Sequence, residues 1–463
     1  MNMSRNLIIE WTPEDEAFWR RKGRNIALQN LWISIPALTL AFAVWMVWSV
    51  VVVKLPAVGF KFSTNQLFWL AALPGLFGAT LRIFYSFMVP IFGGRRWTAI
   101  STASLLLPAI GIYFAVQNLS TSYSTFVILA LLSGFGGGNF ASSMANISFF
   151  FPRSKKGLAL GLNAGLGNLG VSLVQFVVPL VISIGIFGAL GGGPQSVVQK
   201  GQTSHVWLQN AGLVWVPFIV VVSLAAWFGM HDLAEAEASF AEQAVIFKRK
   251  HTWVMSFLYT GTFGSFIGYS AGMPLLIKSQ FPGINALDYA WLGPLVGALA
   301  RPIGGWLADK LGGARVTFWN FILMALGALV VLVSLPHAHQ GGNFIVFLWA
   351  FLILFATTGI GNGSTFRMIP VIFLTDRRRA AIGMDAAGQE QARKDANKES
   401  AAAIGFTSAV AAYGAFYIPK TFGSSISLTG GPQAALYFFI AFYAMCTLLT
   451  WWQYSRKNAA VPC

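Results

Sequence analysis

The sequence predicts an all-α membrane protein of twelve transmembrane helices arranged as two related six-helix bundles, and three observations carry that prediction. The 463-residue chain is 56% hydrophobic and only 10% charged, with a mean hydropathy of +0.64, where a soluble domain is about 25% charged. Apolar windows long enough for about 20 helical residues recur along its whole length. A charged motif in the first half returns in the second at a fixed spacing.

The windows fall, in order, at 31–53, 66–90, 97–116, 124–151, 158–183, 208–230, 252–274, 287–308, 315–335, 344–373, 401–424 and 434–454. Residues 1–30 mix acids and bases and lack the short apolar core and small-residue cleavage site of a secretory signal. Within them Thr12 as N-cap, Pro13 at the first helical position and acids at Glu14, Asp15 and Glu16 predict a short amphipathic surface helix. The organisation read from this is an N-terminal segment 1–30, a bundle over 31–230, a charged linker over 231–251, a second bundle over 252–454 and a tail over 455–463. A long loop at 374–400 interrupts the second bundle; its six bases and five acids read as a solvated, mobile segment. Cys446 lies in the last span and Cys463 at the end of the chain, so no disulfide framework is expected.

A formal charge of +16 raises the question of nucleic acid, but in a membrane protein the location of the bases decides. Of 31 lysines and arginines, 23 fall on the side of the even-numbered span exits and both termini, five on the other side, and three inside spans: Arg82, Arg301 and Arg367. The positive-inside bias then makes both termini cytoplasmic, and no nucleic-acid partner is expected.

Arg82 is followed eleven residues later by Gly93, Gly94, Arg96 and Thr98; Arg301 is followed at the same distance by Gly312, Gly313, Arg315 and Thr317, a constant offset of 219 residues. The two arginines therefore occupy equivalent depths in spans two and eight. Eleven helical residues of about 1.5 Å put each roughly 16 Å from the cytoplasmic turn, close to the bilayer midplane. A charge there is expensive and marks function. None of the 15 acids and none of the five histidines lies in the middle of a span. An acidic counter-ion is thus excluded, leaving backbone carbonyls or an anion that comes and goes; the second is the reading taken. Arginine suits a planar oxyanion because its fork donates two parallel hydrogen bonds and keeps its charge when desolvated. The same census removes any obvious proton carrier, which favours anion-for-anion exchange over proton symport.

Repeated halves with a midplane site are the architecture of secondary transporters. Residues 304–316, GGWLADKLGGARV, resemble the cytoplasmic loop signature of the major facilitator superfamily, in which Asp309 and nearby bases such as Arg315 lock the closed state. The first half has Pro90 where the second has Asp309, so its gate, around Arg95 and Arg96, lacks an acid and must rest on other contacts.

Span five contains Gly165, Gly167 and Gly170 in a G-x-G-x-x-G spacing, but with no preceding strand and no βαβ unit this is not a dinucleotide site. Gly161 and Gly165 suit close helix packing, whereas Asn163 and Asn168 need polar partners or a water-filled cavity. The glycine-rich stretches of spans four, five, ten and eleven resemble the nitrate/nitrite porter family, and the likeness runs through FMVPIFGGRRW, NFASSMANISFFFP, LYTGTFGSFIGYSAG, STFRMIPVIF and IPKTFGSS. Where that family commonly has Gly-Gly after the first asparagine of span five, this chain has Ala164 and Gly165.

The resemblance implies the major facilitator fold, nitrate and nitrite as substrates, no cofactor and no metal, and a monomer in a bacterial inner membrane. It implies that Arg82 and Arg301 hold the anion, that Tyr259 hydrogen-bonds it, and that Phe140 and Phe263 clamp it between ring faces. Phe42, Asn168, Gly165, Gly405 and Ser408 complete the walls. Phe266, one turn beyond Phe263, reads as a plain core or lipid-facing residue, and Arg367 either as a base that snorkels or pairs near the cytoplasmic end or as part of the site. The rivals are proton-coupled nitrate uptake, exchange of another anion such as phosphate, a channel and a nitrate sensor; a redox enzyme would need mid-span haem or metal ligands.

Overall fold

The structure, a computed structural model, describes residues 6–199, 202–234, 245–336, 341–459 and 461–463. Twelve long helices run through the described residues. They are α1 (Glu16–Lys54), α2 (Thr64–Tyr85), α3 (Gly94–Ala115), α4 (Tyr123–Phe150), α5 (Ser154–Ile182) and α6 (Asn210–Gly229), then α7 (Lys250–Tyr259, Thr260–Gly264 and Ser265–Gln280) and α8 (Leu292–Leu311). The last four are α9 (Gly313–Ser334), α10 (Phe344–Ala380), α11 (Ala386–Thr429) and α12 (Gln433–Ser455). Ten of the twelve are long and apolar enough to cross a bilayer on hydropathy alone; α7 is diluted by Gly, Ser and Thr, and α8 by Gly, Pro and the charges of Arg301, Asp309 and Lys310.

Local chemistry starts these helices where the chain must turn. Ser63 and Gln66 form a reciprocal capping box at the head of α2. Ser122 caps α4 through Thr125 N–H at 3.2 Å, and Asn343 caps α10 through Ile345 and Val346. The N-terminal helix begins later than predicted and is not a separate surface helix, since it runs without a break into the first span. Asp15, not Thr12, is the N-cap, taking Ala17 N–H at 2.9 Å, while the Thr12 carbonyl closes the preceding turn on Asp15 N–H.

The expected loop at 374–400 is almost wholly helical. α10 continues 37 residues to Ala380, about 56 Å at 1.5 Å per residue and well beyond a 30 Å hydrocarbon core. α11 restarts at Ala386, capped by Asp385 on Gly388 N–H at 2.8 Å. Only 381–385 turn, with Gly383 at φ +89°. Arg377, Arg378 and Arg379 fill the last turn of α10, where cations offset the helix dipole. Glu399 is buried between Arg377 and Arg249, which donates Nη2–H at 2.9 Å. A charged sequence thus reads as solvated loop when it is two helix ends pinned by one carboxylate.

Two short β elements depart from the all-α expectation. β1 (Leu7–Ile8) lies parallel to a strand at Asp232–Leu233, and β2 (Gln195–Gln199) pairs antiparallel with β3 (Gln202–Val206) between α5 and α6. The Asp232–Leu233 strand is β4. Ten residues of the expected linker, 235–244, lie outside the described residues.

The chain divides into two compact units, Met1–Ala238 with Ser270–Trp291, and Ser239–Tyr269 with Leu292–Cys463. The division passes through the linker, between 238 and 239, and again through α7, between Tyr269 and Ser270. Its second half belongs to the first unit, where Gln175 Nε2 donates to the Ser270 carbonyl at 2.7 Å and Ser172 Oγ to the Trp291 carbonyl at 3.0 Å. The repeat is visible in the backbone: Gly93 and Gly312 both take positive φ, +84° and +89°, at the turns into α3 and α9, a conformation that favours glycine.

Candidate anion-binding site

In the first unit the site grows from the glycine-rich start of α4. A Cβ on Gly136 would fall 2.0 Å from the Ala41 carbonyl, and one on Gly137 would meet Trp45 at 2.7 Å and Gly78 Cα at 2.8 Å. Only bare backbone lets α1, α2 and α4 come this close. That approach brings Arg82, fully buried on α2, to the α4 backbone, where its Nε–H donates to the Gly137 carbonyl at 2.8 Å. Its guanidinium carbon lies 4.7 Å from the centre of the Phe140 ring and 5.2 Å from that of Trp45, within cation–π range. The Trp45 indole is fixed by its own N–H to the Pro74 carbonyl at 2.7 Å. Phe42 stands edge-on to Phe140, 6.1 Å between centroids. The structure brings Arg82, Phe140 and Phe42 together, and adds Trp45, an aromatic not singled out from the sequence.

Span five separates its two asparagines by role. Asn163 donates to Ser143 Oγ at 2.8 Å, which in turn contacts Ser34 Oγ at 2.8 Å. Asn168 is buried, and both Oδ1 and Nδ2 lack a hydrogen-bond partner among the described residues. A buried amide left so costs about 1–3 kcal/mol of desolvation. Close packing in α5 is carried by Gly167 and Gly170, whose added Cβ atoms would strike Leu38 at 2.7 Å and the Thr39 carbonyl at 2.1 Å; a Cβ on Gly161 or Gly165 meets nothing within 4 Å. The expected packing pair is therefore the open one.

The second unit repeats the arginine motif. Arg301 on α8 places its guanidinium carbon 5.4 Å from the centre of the Phe366 ring, and its Nη1 is buried with no hydrogen-bond partner among the described residues. Each unit thus sets the arginine of its second helix over a phenyl ring of its fourth. Phe366 went unnoticed, although an aromatic in each glycine-rich span, Phe140 and Phe366, was there to align.

Tyr259 and Phe263 stack at 5.5 Å with ring planes 18° apart, across the π turn Thr260–Gly264 that breaks α7. Such π segments are frequent at functional sites because the extra residue re-aims side chains. The Tyr259 hydroxyl donates to Asn362 Oδ1 at 2.7 Å, a partner not foreseen. Phe266 is core, packed edge-on against Phe355 at 6.3 Å. Ser408 is buried and its hydroxyl donates to the Gly405 carbonyl of its own helix at 2.9 Å, while a Cβ on Gly405 meets nothing within 4 Å.

The gate residues pair differently from the expectation. The first half does have an acid: Asp232, just beyond α6, takes Arg95 backbone N–H at 2.8 Å and Nε–H at 3.1 Å, with Arg96 at 3.9 Å. Arg95 also donates to the Trp227 carbonyl at 2.8 Å. The position aligned with Asp309 does not supply this acid, which arrives instead from strand β4 after α6. In the second half Asp309 pairs with Arg367, and Arg315 is exposed with no ion pair among the described residues. Arg367 therefore sits in a surface pair near the helix end.

The sequence profile of the Major Facilitator Superfamily matches residues 35–389. The chain is 52% identical to the nitrate/nitrite transporter NarU of Escherichia coli K12, over 98% of this chain and 97% of that protein. It is 44% identical to the probable nitrate/nitrite antiporter NarK2 of Thermus thermophilus, over 98% of each. The chain belongs to the nitrate/nitrite porter family of the Major Facilitator Superfamily. Among solved structures, a D-xylose–proton symporter superposes on this porter with a TM-score of 0.60 at 14% identity, covering 94% of this chain and 98% of that one, which establishes the fold alone. The porter is a multi-pass membrane transporter and not an enzyme.

Proposed function

We propose that this porter carries nitrate and nitrite across the bacterial inner membrane by alternating access, exchanging one for the other, as a monomer with both termini cytoplasmic. The observation that carries the anion site is the buried hydrogen-bonding capacity left open at Asn168 and at Arg301 Nη1, in spans whose middles hold no acid. A buried donor gains most from a ligand that satisfies it. In this reading Arg82, Asn168, Phe140 and Phe42 of the first unit and Arg301, Tyr259, Phe263 and Ser408 of the second hold the anion. Gly165 and Gly405 leave room for it beside bare backbone. Asp232 with Arg95 and Arg96, and Asp309 with Arg367, hold the cytoplasmic turns, with Arg315 available to Asp309 in another state.

The names of the relatives support nitrate and nitrite as substrates. Exchange follows from the titration chemistry of the spans. Arginine holds its proton, so a cationic site crosses the membrane cheaply only when an anion neutralises it.

The test is nitrate entry into liposomes holding purified protein, loaded with nitrite or empty, with and without an imposed pH gradient. Entry is expected to require internal nitrite and to ignore the gradient. Gradient-driven entry into empty vesicles would replace exchange with proton symport.

A further inference from the structure

The second unit carries two neighbouring cavities with complementary chemistry, away from the arginine half-sites. One, of about 280 Å³, is lined by Lys248, Arg249, Lys250, His251, Phe373 and Asp376. The other is an apolar groove of about 490 Å³ between Phe257 on α7 and Met445, Leu448, Leu449, Trp451 and Trp452 on α12. The final π turn of α12, Trp451–Ser455, borders both. Lys250 Nζ of the basic cavity lies 5.9 Å from the ring centre of Trp452, which lines the groove. His251 Nδ1 holds the Tyr454 hydroxyl at 2.9 Å. Phe257 sits seven residues further along α7, about 10 Å deeper at 1.5 Å per residue.

The charges around the basic cavity do not cancel. Arg249 and Arg377 share the single carboxylate of Glu399. Asp376 faces the same space as Lys248 and Lys250. Counting Lys248, Arg249, Lys250 and Arg377 against Asp376, Glu399 and Asp395, which also acts on Arg377, leaves an excess of one positive charge. The groove below has no charged lining residue, and its side chains are exposed, Leu448 by 66% and Trp452 by 54%. Paired tryptophans at such a level mark the boundary between headgroups and acyl chains.

We propose that this end of α7 and α12 is a binding site for one anionic glycerophospholipid, its phosphate on the Lys248 and Lys250 ammonium groups and an acyl chain along the Phe257–Trp452 groove. Basic pockets at helix ends recognise anionic headgroups in this way. A soluble phosphate would use the cavity and leave the groove empty, and a neutral lipid would use the groove and leave the excess charge unmet.

The experiment is native mass spectrometry of the full chain in neutral detergent, titrated with phosphatidylglycerol and with phosphatidylcholine of the same acyl chains. The wild type is expected to retain phosphatidylglycerol preferentially. Lys248→Gln with Lys250→Gln should reduce that preference by about fivefold per lysine, and Trp452→Ala should weaken retention of both lipids. Lys155→Gln with Lys156→Gln, the same charge change in the first unit, should leave the preference intact. Equal retention of the two lipids by the wild type, an equal loss in the Lys155/Lys156 control, or full displacement of phosphatidylglycerol by millimolar inorganic phosphate would each overturn the proposal.

Discussion

Replacing Asp232 by Asn should destabilise the first unit far more than Asp309→Asn destabilises the second, although both acids pair with an arginine. The Asp232 carboxylate receives two hydrogen bonds from Arg95, and both side chains are only 9% exposed. Breaking a buried pair by removing one partner costs about 3–5 kcal/mol, because the remaining charge stays buried. Arg95 keeps the Trp227 carbonyl and lies 5.3 Å from the Trp227 ring centre, which favours the lower end, about 3 kcal/mol. Arg96, 43% exposed and 3.9 Å away, adds little. The Asp309–Arg367 pair is 53% and 57% exposed, a setting in which ion pairs contribute about 0–1 kcal/mol. For a unit of roughly 200 residues, 1 kcal/mol moves a melting midpoint by about 2–4 °C. The expected shifts are thus a fall of about 6–12 °C for Asp232→Asn and at most about 4 °C for Asp309→Asn. Intrinsic tryptophan fluorescence of the purified variants during heating reads both. Equal shifts, or an Asp232→Asn midpoint within about 2 °C of wild type, would refute the claim that the buried pair anchors the first half.

Three further outcomes follow. Arg82→Lys and Arg301→Lys should each weaken nitrate binding at least about tenfold although charge is kept, since a point charge replaces a two-donor fork; isothermal titration decides, and near-wild-type affinity in either variant sinks the paired-arginine reading. Asn168→Leu should raise thermal stability by about 1–2 kcal/mol while lowering nitrate affinity, because it removes two buried polar atoms that have no partner; a loss of stability would mean that Asn168 is a structural residue. The His231 imidazole, whose Nδ1 lies 3.2 Å from Asn30 Nδ2, is held below the ordinary histidine value by burial, opposed by the nearby Asp232 carboxylate. A lowered value in the folded chain means that its contribution is complete above about pH 6.5 and is lost as pH falls towards the folded value. Melting midpoints of wild type and His231→Gln should accordingly converge as pH drops from 7 to 5; parallel curves would remove His231 from the account.

Much of this was legible in the sequence because it rests on one-dimensional signals. Bilayer-length apolar runs located the helices, and an offset that returned Arg82 as Arg301 exposed the repeat. Reading failed where the signal lay between distant segments. Asp232 acts on Arg95 from 137 residues away, and no alignment of the two halves points to it. The charged stretch after α10 looked like loop because composition cannot show Glu399 gathering Arg249 from 150 residues away. Phe366 and Asn362 are different cases. They lie in the same glycine-rich span as Arg367, but nothing in that span's spacing ties the ring to Arg301 or the amide to Tyr259, which come from other helices.

The β1–β4 pair has a consequence for how the protein is made. Leu7 and Ile8 are made 225 residues ahead of Asp232 and Leu233 and cannot pair until these follow. At about 5–20 residues per second that is a wait of roughly 10–45 s, with the N-terminal segment held meanwhile by its contacts to α4, such as the Trp11 indole on the Phe149 carbonyl. The same late residue brings the carboxylate that Arg95 needs. A nascent chain halted after five helices would keep that guanidinium uncompensated and its leading strand unpaired, so the stitch can close only once six helices have been delivered.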